Sequence, residues 1–220
     1  MNEMGKGSAW ELPMNKETLE KACKEYSEKE GRARFYDIAI EIADDYPLQA
    51  SIIILAVWNV AGFRFLSNEE YRETLDKLKE TIDEGKLEFR SLKGKDFRTF
   101  DFKEIEKLIK KIYSELSKIE GVKYTGASKV MHLLNRDLFL MWDSDMRKEY
   151  GYPKANEDNY LHYLKKMQDK VKNMELIMPN KTLPKIIDEF NFTEISFQRL
   201  KERKRKKMEK RRKDKTLLTQ

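Results

Sequence analysis

The chain has 220 residues, 38% of them charged and 40% hydrophobic, with a formal net charge of +6. A single cysteine, Cys23, excludes an intramolecular disulfide, a four-thiolate iron–sulfur cluster and a Cys-rich zinc site, and His132 and His162 lack the carboxylate pattern of a metal pair. No metal site is therefore expected, and no cofactor is assigned. The longest apolar stretch, Ile52–Val57 with its flanks, is too short to span a bilayer, and the opening Met1-Asn-Glu-Met-Gly-Lys does not read as a signal peptide, so we expect a soluble cytoplasmic protein with no membrane partner.

Helical periodicity runs along almost the whole chain. Asn15 precedes the first helical pattern as an N-cap. Phe35, Ile38, Ala39 and Ile42 predict a second helix buried on that face. Leu48–Val60 is apolar on every side, as in a central helix with neighbours all round; Pro47 suits its first turn and Gly62 its end. Tyr71, Leu75, Leu78 and Ile82 predict the next helix, with Gly85 and Gly94 as breaks, and Lys86–Phe100 reads as a loop, with a short hairpin as the alternative. Phe102, Ile105, Leu108, Ile109, Ile112, Tyr113 and Leu116 trace one stripe through 102–117. After a break at Gly151-Tyr-Pro153, Asn156 caps a pattern carried by Tyr160, Leu161, Leu164, Met167, Val171 and Met174. Pro179–Pro184 is a further break, followed by a short helix around Lys185–Phe190. The expected fold is all-α, with about eight to ten helices of ordinary length.

The positive charge is not spread evenly. Residues 201–220 hold eleven Lys/Arg against three acids, a local excess of +8 that leaves the first 200 residues slightly acidic. A run such as Lys201-Glu-Arg-Lys-Arg-Lys-Lys207 is suited to a polyanion, because each phosphate it neutralises releases a counterion. A solvated tail that only aids solubility is the plainer alternative.

Residues 119–150 carry the most information. A helix ending near Ile119 is followed by Gly121, then Gly126, then a helix whose apolar face is Ala127, Val130, Met131 and Leu134. Lys129 lies off that face, towards water or a cleft. Backbone N–H groups left uncovered in such a turn form a nest for a phosphate oxygen; an ordinary αα-hairpin with a glycine cap is the alternative. The segment resembles the helix–hairpin–helix and adjoining loop of the DNA glycosylase superfamily that includes endonuclease III and the 8-oxoguanine glycosylases. Ile119-Glu-Gly-Val122 stands at the start of the hairpin and Ala127-Ser-Lys-Val130 in its second helix. Phe139-Leu-Met-Trp-Asp143 occupies the apolar approach to the superfamily's active-site aspartate. Pro47–Ala61 is similar to the early buried helix that helps line the base pocket. The likeness covers roughly residues 45–150 and has departures. The hairpin Gly-Val-Lys-Tyr-Thr-Gly is longer than Gly-Val-Gly, the stretch from Lys129 to Asp143 is shorter than in endonuclease III, and Trp142 replaces the common valine.

The resemblance implies two helical lobes around a cleft. Residues 1–66 and 150–195 would form a terminal lobe and 67–149 a central lobe with the hairpin; 196–220 would be a basic tail. It implies a monomeric, nucleoid-associated DNA-repair glycosylase acting on double-stranded DNA, with an 8-oxoguanine-like purine as the base removed. Asp143 would stabilise positive charge on the sugar, and Lys129 would form a Schiff base that adds abasic-site lyase activity. Gly121, Lys123, Tyr124, Thr125 and Gly126 would contact phosphate, together with Lys204 and Arg205 of the tail. Trp58, Asn59 and Trp142 would surround an extruded base. His132 is assigned to packing. Asp143 equally suits an N-cap for 144–150, and two other readings stay open: a non-catalytic nucleic-acid module, and a helical scaffold with no DNA role.

Overall fold

The structure, a computed structural model, describes residues 8–66, 72–175 and 178–217, without the side chains of 65–66 and 211–217. The chain is all-helical, with no strand among the described residues. A capping box starts α1 (Lys16–Lys29): Asn15 Oδ1 accepts from Thr18 N–H, and Thr18 Oγ1 from Asn15 N–H, both at 3.0 Å. Then follow α2 (Ala33–Ile42), α3 (Pro47–Trp58) with proline in its first turn, α4 (Val60–Leu66) and α5 (Arg72–Ser91). The second half holds α6 (Glu106–Lys118), α7 (Lys123–Leu134), α8 (Ser144–Glu149), α9 (Glu157–Val171), α10 (Leu183–Asn191) and α11 (Phe197–Leu217). A π-helical turn, Phe192–Ser196, joins the last two. No described helix is long and apolar enough to cross a membrane.

The main core is built from the stripes of α5, α6, α7 and α9, including Leu78, Ile82, Ile109, Ile112, Val130, Met131, Leu164 and Met167. A second cluster packs α2 and α3 against Leu133 and Met141; Ala39, Ala43 and Ala50 are small enough to let the two helices close on each other. A third pairs α1 with α10 through Leu19, Ala22, Cys23, Ile186 and Phe190. Residues 150–195 are thus divided between clusters, with α9 in the main core against α6 and α10 against α1.

Several local expectations change. On α2 the buried residues are Tyr36 and Ala39, whereas Phe35 and Ile38 are exposed, because only the alanine stripe lines up with α3. Nor is α3 enclosed: Ala50, Ser51, Ile54 and Leu55 are buried, but Ile52, Ile53 and Val57 are only half-buried. Gly85 does not break a helix. It lies inside α5, where an added Cβ would sit 3.1 Å from the Phe89 ring and 3.2 Å from Ile112. Tyr71 lies outside the described residues. The described part of the basic segment is helical, α11, and follows α10 through the π turn.

Candidate active site

The hairpin is tighter than the sequence suggests. α6 ends at Lys118 and α7 begins at Lys123, so the turn is Ile119–Val122, and Tyr124, Thr125 and Gly126 belong to the first turn of α7. Gly121 adopts φ +87°, which favours glycine, and Lys123 follows at φ +51°. The α3–α4 junction seats on this turn. Asn59 Nδ2 donates to Gly121 O at 2.7 Å and Val122 O at 3.1 Å. A Cβ on Gly62 would lie 2.3 Å from Gly121 O, so that approach requires glycine. Gly126 is buried against Leu55 and Val122. Lys123 and Tyr124 are exposed, Lys123 paired with Glu120 at 3.2 Å, and Thr125 is half-buried. Among the described residues no side chain caps α7, and the N–H groups of Tyr124 and Thr125 meet no acceptor.

Two of the expected pocket residues have structural partners. Asn59 spends its amide on the hairpin carbonyls and is a structural clamp. Trp142 adds to a cavity wall, but its side chain is fully buried: Nε1 donates to Tyr113 Oη at 3.0 Å and the ring packs on Tyr160 and Tyr163. It is core, as large aromatics in a dense interior usually are. Trp58 does line the cavity. Its ring stacks on Tyr36 with centroids 5.6 Å apart, and its buried Nε1 has no hydrogen-bond partner among the described residues.

That cavity, about 140 Å³, brings Lys129 and Asp143 together, with Tyr26, Glu30, Arg32, Asp188 and Phe192 also on its wall. Lys129 is only 8% exposed despite lying off the apolar face of α7. Its Nζ donates to Trp58 O at 2.5 Å, at the end of α3, while Arg32 takes the neighbouring Val57 O at 2.8 Å. Burial pushes the Lys129 amine down to about 8; Asp143 and Asp188 pull the other way, and Arg32 adds to the depression. Asp143 is the N-cap of α8. Oδ1 accepts from the N–H groups of Asp145 and Met146, both at 2.8 Å, and Oδ2 accepts from Ser196 Oγ at 2.7 Å. With about two lone pairs per oxygen, Oδ1 is fully used and Oδ2 keeps one acceptor position.

A second buried lysine contrasts with the first. Lys185 Nζ lies against Asp188 at 3.0 Å and over the rings of Tyr26, Tyr36 and Trp58. Burial alone would push this amine down, but Asp188, Tyr36 and Glu189 overcome it and raise its pKa. His132 is a packing residue: Nδ1 lies 2.7 Å from Phe139 O and Nε2 2.8 Å from Tyr36 Oη. It thereby props the ring behind Trp58. Lys204 and Arg205 are exposed on α11, away from the cavity, with Arg205 near Glu209. Ser196, Arg32, Asp188 and Lys185 were not anticipated, and no local spacing marks them, since each reaches the site through tertiary packing.

Among the described residues no cluster of His, Cys, Asp and Glu is arranged to hold a metal ion. No protein-family model, curated protein or solved structure matches the chain.

Proposed function

We propose that the chain is a DNA-repair glycosylase that removes a damaged, 8-oxoguanine-like purine from double-stranded DNA and then cleaves the abasic strand through Lys129. The observation that supports this reading is the meeting of a buried amine and a carboxylate in one cavity. An amine with a pKa of about 8 is roughly one-quarter unprotonated at pH 7.5, far more than a solvated lysine. Its lone pair attacks C1′ of an extruded nucleotide. The glycosidic bond breaks with its electron pair going to the base, which takes up a proton. Opening of the sugar leaves a Schiff base, and loss of a C2′ proton expels the 3′-phosphate. Asp143, through the free position on Oδ2, stabilises the positive charge on the sugar as the base departs.

The hairpin and α11 serve the backbone in this reading. The unpaired N–H groups of Tyr124 and Thr125, with Lys123 and the turn at Gly121, accommodate a phosphate. Lys204 and Arg205 extend the positive surface.

Borohydride reduction during incubation with duplexes carrying 8-oxoguanine, uracil or an abasic site tests the proposal. The wild type gives a covalent adduct and Lys129→Ala does not. Asp143→Asn, which keeps an N-cap acceptor, slows base release by about 100-fold while duplex affinity is retained. A second reading, a nucleic-acid-binding protein without chemistry, is favoured by the fact that Asp143 and Lys129 already act as caps, on α8 and α3. It expects duplex binding with no adduct from the wild type on any of these substrates.

A further inference from the structure

The turn that leads into the basic helix meets the candidate catalytic carboxylate at one pair of atoms. α10 runs into α11 through Phe192–Ser196, where Phe197 N–H bonds to Phe192 O in the i→i+5 pattern of a π turn. One extra residue in a helical turn rotates every later side chain by about 100° around the axis. With that offset Ser196 reaches the N-cap of α8, and its hydroxyl donates to Asp143 Oδ2 at 2.7 Å. Farther along the same helix Arg199 pairs with Glu149 and Arg203 with Asp145, fastening α11 to α8. At the other end of the π turn, Phe192 lines the cavity itself.

Asp143 Oδ1 is already held by two backbone N–H groups, so the setting of Oδ2 rests on Ser196. We propose that Ser196 is a positioning residue whose hydroxyl holds the Asp143 carboxylate with its remaining lone pair available to the cavity, linking the basic helix to the reacting centre. This inference rests on the glycosylase reading above. The charges around Lys129 come from every side: Arg32 and Glu30 from the α1–α2 link, Asp188 from α10, and Asp143 from the start of α8. Beside Asp143, Asp145 is already neutralised by Arg203. Removing the serine hydroxyl takes a donor from Oδ2. The carboxylate then acts more strongly on the Lys129 ammonium, which keeps its proton to higher pH.

Ser196→Ala and Ser196→Thr in the full chain test this. In Ser196→Ala, single-turnover base release slows about tenfold with duplex affinity unchanged. The pH of half-maximal borohydride trapping rises by roughly half a unit. Ser196→Thr, which restores a hydroxyl, returns both to wild-type values. A separate measurement follows the Lys129 Cε resonance in lysine-labelled protein, assigned by its loss in Lys129→Arg; its titration also moves up in Ser196→Ala. That readout needs no DNA chemistry. A wild type inactive on every duplex overturns the glycosylase reading, whereas an unmoved Lys129 titration in folded Ser196→Ala overturns the role of Ser196. Failure of threonine to restore rate and profile in a protein of wild-type melting temperature overturns it as well.

Discussion

At the scale of single residues, His132 carries a clear pH consequence. Its ring is fully buried between Tyr36 and Phe139, and desolvation pushes it down to about 4 from its usual 6.5. Between those values the unfolded chain binds a proton that the folded one refuses. The His132 contribution to stability is therefore fully present above pH 6.5 and is lost as pH drops towards 4, by about 3 kcal/mol in all. Urea titrations at pH 7, 5.5 and 4 measure this; His132→Gln flattens the dependence, and an equally steep loss in that variant would assign it to other groups. Lys129 has the same sign at the alkaline end. The unfolded chain holds the extra proton from about 8 to 10.5, so this contribution rises with pH across that range. Helical spacing placed Lys129 off the apolar stripe of α7, but that it is buried could not be read there, because the wall facing it comes from the end of α3.

At the scale of elements, the hairpin depends on close backbone approach. Gly62→Ala sets a methyl group against Gly121 O, a backbone atom that cannot swing aside, and costs about 2 kcal/mol. Gly85→Ala meets only the side chains of Phe89 and Ile112, which can give by a few tenths of an ångström, and is milder. Denaturant midpoints rank the two; a Gly62→Ala protein as stable as wild type would show that the α3–α4 junction does not seat on the turn. The hairpin was legible as two glycines after an apolar stripe. That Gly126 sits inside α7 and packs on Leu55 was not, since a glycine required by a neighbouring helix looks in sequence like one required by a turn. The π turn left no sequence mark either, because an i→i+5 bond needs no particular residue type.

At the scale of the whole molecule, the charge distribution makes its own prediction. Lys204, Lys206 and Lys207 are exposed on α11. On the proposed DNA-binding reading, replacing all three with glutamine reduces the slope of log affinity against log salt by up to about 0.9 for each phosphate that the helix no longer neutralises. Titrations of duplex binding at several salt concentrations check this, and an unaltered slope would place the helix off the phosphates.

Periodicity and charge partition were enough to anticipate an all-helical chain, a basic C-terminal segment, a turn between α6 and α7 and an aspartate suited to cap α8. These are local properties, written within a few helical turns of the residues concerned. Only the tertiary structure decided that Asn59 serves the hairpin, that Trp142 belongs to the core, and that Ser196, Arg32 and Asp188 stand around Lys129 and Asp143. The bond from Lys129 to Trp58 spans 71 residues and that from Ser196 to Asp143 spans 53. Contacts at such separations depend on how whole helices pack, and no local pattern encodes that packing.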